Sequence, residues 1–147
     1  MIKILRLGPG DEQLVLDAAE LFDAPPTNAW TTKFLSSEGH HLLFAIVEDG
    51  DPVGFVSGVE TSHPDKGTEM FLYELSVEPV HRNRGIGTAL VGALADLART
   101  RGCYGMWVGT EPDNAAALAT YRAAGASPPE PFMTLEWRFD PAARGEQ

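Results

Sequence analysis

The segment His81 to Leu90, HRNRGIGTAL, sets two arginines and two glycines at the mouth of a helix. A helix N-terminus offers unpaired backbone N–H groups and the positive end of its dipole. Glycine lets an anion approach that backbone closely, and arginine adds charge-assisted donors. The spacing predicts a pyrophosphate cradle built on Arg82, Arg84, Gly85 and Gly87. It is not a Walker P-loop, because no Lys stands between Gly87 and Thr88. It also lacks the third glycine of the dinucleotide fingerprint.

Other residues able to do chemistry are few. Glu74 interrupts the apolar run Met70–Val77, where strand alternation predicts it on the face of Leu72 and Ser76, opposite Tyr73 and Leu75. Tyr121 lies in the alanine-rich stretch Asn114–Ala124. Cys103 is the only cysteine, has no neighbouring His motif, and reads as a small packing residue rather than a nucleophile. His40 and His41 are adjacent at a strand entrance without ligand spacing, and His63 and His81 are lone loop residues. All four read as surface histidines, and no metal site is expected. Trp30, Trp107 and Trp137 read as core or cleft wall, with Trp107 in a central strand.

These residues need a scaffold. At 147 residues one domain, 1–147, with one core is expected. The net charge of −10 excludes general nucleic-acid binding and suits a cationic ligand. No run reaches the roughly 20 apolar residues of a membrane span, and the opening MIKILRLGPGDEQ does not read as a secretory signal. One cysteine allows no internal disulfide, so a cytoplasmic setting is expected.

Apolar periodicity and turn residues predict the order βα(α)βββαβαβ. Strands are expected at 2–7, 42–47, 52–60, 70–77, 104–109 and 132–139. Helices are expected from Asp11 as cap to about Phe22, at 30–37, at 85–101 with Ile86, Leu90, Leu94 and Leu97 on one face, and at 114–124. The residues EDGD, 48–51, read as a hairpin turn.

R-x-x-G-x-G after an apolar strand resembles the acetyl-CoA motif of the GCN5-related N-acetyltransferase (GNAT) superfamily. NAAALATYRAAGA is similar to its later N-x-x-A-x-x-x-Y-x-x-x-G helix, with Asn114, Ala117, Tyr121 and Gly125 on the motif positions. The resemblance implies an α/β (α+β) GNAT fold. Its sheet would be mixed, twisted and mostly antiparallel, flanked by about four helices and splayed in the middle to hold acetyl-CoA. It implies that Leu75, Ser76 and Val77 contact the pantetheine arm, that the pyrophosphate sits on Arg82, Asn83, Arg84, Gly85, Ile86, Gly87 and Thr88, and that Asn114, Ala117 and Tyr121 also border the cofactor. Tyr121 would protonate the departing sulfur. Glu74 would take the amine's proton directly or through water, and a backbone N–H near Val77 would meet the oxyanion.

The acceptor is expected to be a small polycationic amine, held by Asp23, Glu74, Glu78, Glu111, Asp113 and Glu136 converging on one cleft. RLGPGD, AAELFD, YELSV, TEPDNAAALATY and LEWRFDP are similar, in order, to segments of the short aminoglycoside 3-N-acetyltransferase type I branch. That branch usually carries Asp at the position of Glu74, and the segment between the first helix and Leu42 is shorter and richer in proline here. The resemblance implies acetylation of the 3-amino group of 2-deoxystreptamine in a ternary complex, conferring antibiotic resistance. The alternatives are a polyamine, another small amine or a protein N-terminus as acceptor, and a non-catalytic acyl-CoA sensor. A homodimer is expected from the superfamily, with no stripe in the sequence to mark its interface.

Overall fold

A computed structural model describes residues 2–47 and 50–140. The chain forms β1 (Ile2–Arg6), α1 (Glu12–Asp17), α2 (Asn28–Ser36), β2 (His40–Val47), β3 (Pro52–His63), β4 (Gly67–Val77), α3 (Ile86–Thr100), β5 (Met106–Trp107) and α4 (Ala115–Ala123). Short 3-10 turns follow α1 at Ala19–Leu21 and β4 at Pro79–His81. The sheet order is β1-β2-β3-β4-β5, antiparallel except for the parallel β4–β5 pair. This is the mixed α/β architecture expected. Among the described residues no helix is long and apolar enough to cross a membrane.

Two apolar layers sandwich the sheet. On one face α3 brings Ile86, Leu90, Val91, Leu94 and Ala98 against Leu43, Val56, Met70 and Leu72. The i, i+4, i+8 spacing of Ile86, Leu90 and Leu94 makes that stripe. Gly58 lets α3 come close, since a Cβ there would stand 2.9 Å from Leu94 Cδ1. On the other face Val15, Ala18, Leu21 and Leu35 from the α1–α2 region cover Leu42, Phe44 and Phe55.

Several boundaries differ from expectation. The first helix ends at Asp17, and Phe22 is extended and stacks on Phe55 at 4.4 Å. Asp11 does not cap α1 with its side chain; its Oδ2 accepts the Gly8 N–H at 2.8 Å and closes the preceding turn. Thr27 caps α2 by accepting the Trp30 N–H. Residues 48 and 49 of the expected hairpin turn lie outside the described residues; the Gly50 N–H donates to the Val47 carbonyl. Trp107 lies on the edge strand, not a central one, and Trp30 and Trp137 are exposed rather than core. Residues 132–139, expected as a last strand, form no element and are exposed throughout. Alternation records a tendency to pair, and none of the described strands receives them.

Candidate active site

β4 carries the centre of the site, and its shape depends on one bulge. Ser57 of β3 pairs with Glu74, but the next residue, Gly58, pairs with Leu72, which leaves Tyr73 without a partner. An extra residue reverses the alternation of everything beyond it. Leu72 and Leu75 therefore both pack into the α3 layer. Glu74 turns to the other face, beside Ser57, with its N–H donating to Ser57 Oγ at 3.2 Å. The sequence expectation that Glu74 shares a face with Leu72 is thus overturned; with Ser76 it does share one. Strict alternation had no residue type in MFLYELSV to betray the bulge.

Glu74 is half-buried, and its carboxyl is held above the ordinary range of 4.5, first by burial and then by the negative charge of Asp23. Asp23 reaches it from the loop between the α1 region and α2. Beside them on the same face runs an aromatic wall. Phe71 stacks on Trp107 at 4.3 Å and meets Tyr73 edge-on at 5.7 Å, and Trp107 meets Phe132 edge-on at 6.5 Å. Carboxylates next to exposed ring faces are a setting for an ammonium group.

β5 leaves β4 early. The parallel pairing ends at Phe71 opposite Trp107, so among the described residues Leu72 to Val77 has no strand on that side. The sheet therefore opens into a V whose inner wall is the β4 backbone at Leu75, Ser76 and Val77. Tyr121, on α4, packs against the α3 layer on the opposite face. Burial raises its phenol above the ordinary value of 10.0, so it stays protonated at neutral pH. Glu74 and Tyr121 thus lie on opposite faces of the sheet, and the V is the passage through which one ligand could meet both.

At the open end of the V the chain turns into α3. Gly85 is left-handed at φ 80° with nothing near its Cβ position, and Asn83 is left-handed at φ 63°. The helical ladder begins with the Ala89 N–H on the Gly85 carbonyl, so the N–H groups of Ile86, Gly87 and Thr88 precede it. Gly87 instead makes room for α4, since a Cβ there would stand 3.1 Å from Thr120 Cγ2. Arg82 Nε donates to the Val77 carbonyl at 2.9 Å and ties the turn to the end of β4. Arg84 is exposed. Asn114 Oδ1 accepts the Ala117 N–H at 3.1 Å, which caps α4 and occupies both groups.

Of the six acceptor carboxylates, Asp23 acts on Glu74 by its charge, whereas Glu78 and Glu136 have other partners. Asp23 and Glu74 come together. Glu78 lines a separate cleft of about 320 Å³ with Asp17, Glu20 and Asp51, and its Oε2 lies 3.3 Å from His81 Nδ1. Glu111 and Asp113 are exposed in the turn before α4, and Glu136 sits in the exposed tail 3.4 Å from Arg138 Nε. His41, expected at the surface, is buried. Burial holds its imidazole below 6.5, and its Nε2 lies 2.5 Å from Glu60 Oε2. Glu60 also pairs with Arg101. His63 lies 3.2 Å from Glu69. Burial holds the Cys103 thiol above its ordinary value, against a nucleophilic role. Among the described residues no three His, Cys, Asp or Glu are grouped to hold a metal.

Known proteins resemble the chain in sequence and in fold. An L-2,4-diaminobutyric acid acetyltransferase of Nocardia farcinica is 36% identical over 75 residues, covering 51% of this chain and 38% of its own length. A ribosomal protein bS18-alanine N-acetyltransferase of Escherichia coli is 31% identical over 98 residues, covering 65% of this chain and 63% of its own. The chain thus spans less than two thirds of these relatives. Among solved structures, an aminoglycoside acetyltransferase from an uncultured soil metagenomic sample matches at TM-score 0.77 and 26% identity, over 94% of this chain and 99% of that one. A second soil aminoglycoside acetyltransferase, in complex with sisomicin, matches at TM-score 0.83 and 19% identity, over 95% and 97%. AAC(6')-Iy, in complex with a CoA-linked bisubstrate analogue, matches at TM-score 0.79 and 20% identity, over 95% and 99%. The model of the acetyltransferase (GNAT) family matches residues 12–126, and the chain belongs to that family.

Proposed function

We propose that the protein transfers an acetyl group from acetyl-CoA directly to an amine of an aminoglycoside antibiotic, the 3-amino group of 2-deoxystreptamine. The observation that carries this reading is the Asp23–Glu74 pair beside the aromatic wall, on the sheet face opposite Tyr121. A polycationic acceptor meets two carboxylates and open ring faces there. The similarity to solved aminoglycoside acetyltransferases supports the class of acceptor.

The residues fit acetyl-CoA. Gly85 leaves open space at the mouth of α3, and the unladdered N–H groups of Ile86, Gly87 and Thr88 suit a pyrophosphate. The β4 backbone at Leu75 to Val77, which no strand among the described residues covers on the β5 side, suits the amides of the pantetheine arm. When bound, acetyl-CoA supplies the activated acyl group. Glu74 binds the ammonium and accepts its proton; a raised carboxyl pKa moves the base closer to that of the amine. Asp23 holds a second positive charge and helps to keep Glu74 basic. Tyr121 keeps its proton at neutral pH and delivers it to the departing sulfur from the other face. Acetylation removes one positive charge from the drug and with it an attraction to ribosomal RNA, which is how such an activity gives resistance.

The second reading is a protein N-terminal or small metabolite amine, favoured by the bS18-alanine and diaminobutyrate acetyltransferase relatives. The test measures thiol release from acetyl-CoA with gentamicin, sisomicin, kanamycin, spermidine and N-terminal peptides, followed by locating the acetyl group by mass and NMR spectra. Turnover with gentamicin or sisomicin and a single 3-N-acetyl product is expected. Turnover only with peptides or spermidine overturns the aminoglycoside reading, and a 6'-N product overturns the regiochemistry.

A further inference from the structure

Ser57 is 4% exposed in the apolar strand β3, where a buried hydroxyl is costly unless it is hydrogen-bonded. Phe55, two residues before it, belongs to the layer under the α1–α2 region, and Val56 belongs to the α3 layer. Alternation therefore sets Ser57 on the acceptor face, directly across the ladder from Glu74. The pair stands at the edge of the bulge, since the next residue, Gly58, is opposite Leu72.

A serine hydroxyl has two lone pairs and one proton to donate. Ser57 Oγ accepts the Glu74 N–H at 3.2 Å, and its own proton has no acceptor among the described residues. Glu74 has the matching need. Its half-buried carboxyl is held above 4.5 by burial first and by Asp23 second, and no donor among the described residues offsets either. Asp23 is the charged side chain that bears on it from the loop, and Tyr73 is the titratable neighbour on β4; β3 brings Phe55 and β5 brings Trp107, neither of them titratable. Cross-strand partners hold their Cβ atoms about 5 Å apart, so a carboxylate on one can swing to a hydroxyl on the other through its own rotamers.

We propose that Ser57 is a positioning residue for the acetyl transfer: its hydroxyl fastens the Glu74 backbone at the bulge and offers its own proton to the Glu74 carboxylate when that group is ionised. The inference rests on Glu74 being the base of the proposed reaction. A hydrogen bond to the ionised form favours that form, so Ser57 opposes what burial and Asp23 do. It keeps Glu74 able to take a proton at a lower pH than burial alone would allow. A serine that merely completed the bulge would fix the backbone and leave that balance untouched.

Carbon-detected NMR titration of the Glu74 carboxyl, identified by its loss in Glu74→Gln, tests this beside the pH profile of kcat/KM. Sisomicin is the acceptor, or whichever of spermidine and the N-terminal peptides is turned over, because the inference concerns the base and not the drug. Ser57→Ala should move both the titration and the acid limb of kcat/KM to higher pH. On that limb it should lower kcat/KM by roughly tenfold, with KM for acetyl-CoA unchanged. Ser57→Cys keeps nearly the same volume and a weaker donor, and should fall between; it serves alone should Ser57→Ala fail to fold. In a Glu74→Gln background Ser57→Ala should cost less than about twofold, since the two residues act as one unit. An unmoved titration in a folded Ser57 variant overturns the inference and leaves Glu74 as the base. A full further loss on top of Glu74→Gln overturns it too, because Ser57 then acts elsewhere. A Glu74→Gln variant as active as the parent overturns the base and the inference together, so the two failures are told apart.

Discussion

Residues 2–98 contain every buried side chain among the described residues, and from 99 to 140 not one is buried. The first region closes two apolar layers over a four-stranded antiparallel ladder. The second holds one short parallel strand and a helix, with Trp107, Trp137 and Phe139 left largely in solvent. The candidate site is divided along the same line. Glu74 and its neighbour Asp23 sit on the packed region, whereas Tyr121 and the β5 wall of the V belong to the sparse one. Elements with few buried contacts open at lower free energy than the core. The proposed base, Glu74, is thus held by the ladder, and the proposed acid, Tyr121, is carried on the less buried part.

The largest effect is expected at the packed half of the site. Glu74→Gln should lower kcat/KM for the accepted amine by roughly 10²- to 10⁴-fold, the usual reach of general base catalysis. The loss should grow as pH falls below the pKa of the amine, where the amine needs help with its proton, and shrink again once Glu74 itself takes up a proton. A loss uniform across pH would make Glu74 a positioning group instead. The same variant carries a stability signature of opposite sign. Because burial and Asp23 raise the Glu74 carboxyl, the folded protein prefers it protonated. That penalty is absent below the ordinary value of 4.5 and complete above the raised one, so Glu74→Gln should melt at higher temperature than the parent at pH 7 and equal it in acid. Loss of activity with gain of stability is a pairing that simple misfolding does not produce.

Core substitutions compare the regions directly. Leu94→Ala, in the α3 layer, should cost about 2–5 kcal/mol in denaturant unfolding. Leu118→Ala, on half-exposed α4, should cost about 1 kcal/mol or less. Equal costs would mean that α4 is as firmly packed as α3, and the contrast would fail.

On the sparse side, Tyr121→Phe keeps the ring packing and removes the proton. It should lower kcat by roughly 10²-fold with acetyl-CoA affinity nearly unchanged. Unaltered kcat would remove Tyr121 from the acid role and leave it a packing residue.

What could be read from the chain follows the same division. The helix of Ile86, Leu90 and Leu94 and the ladder of β2, β3 and β4 were legible because their apolar periods match local geometry and the partner is near in sequence. The turn at Gly85 was legible for the same reason, since two glycines and two arginines need no distant partner to be interpreted. The face of Glu74 was not, because the bulge at Tyr73 depends on how β3 and β4 settle over Gly58. His41 was misplaced because Glu60 and Arg101, which make its burial tolerable, stand 19 and 60 residues away. The acidic cleft failed for a related reason: Glu74 and Glu78 are close in sequence, but the 3-10 turn that follows β4 sends Glu78 toward Asp17 and Asp51.

His41 gives a pH test confined to the packed region. Its folded value lies below 6.5 because burial opposes the cation, so the stability of uncharged His41 is complete above 6.5 and lost as pH falls toward the lowered value. Glu60 acts in the same direction at lower pH. Burial pulls its carboxyl upward, but hydrogen bonds from His41 and Arg101 prevail and hold it below 4.5, so its contribution fades as pH drops through that lower value. The melting temperature should therefore fall between pH 7 and pH 5, and less steeply in His41→Gln. Identical slopes would show that the imidazole is not what acid attacks first.

The smallest effect should come from Asp23→Asn, and it separates charge from shape at the acceptor face. Asp23 raises the Glu74 carboxyl by its charge, second to burial. Removing the charge and keeping the volume should move the acid limb of kcat/KM to lower pH. Burial, which contributes more, is untouched, so the limb should stay above the ordinary carboxylate range. KM should separate the acceptors. A polycationic amine loses one of its two carboxylates and binds several-fold more weakly, whereas an amine with a single charge, held by Glu74 alone, changes little. An equal rise in KM for both would mean that Asp23 shapes the loop between the α1 region and α2 rather than reading a second positive charge. The preference for several charges would then rest on the aromatic wall of Phe71, Tyr73 and Trp107.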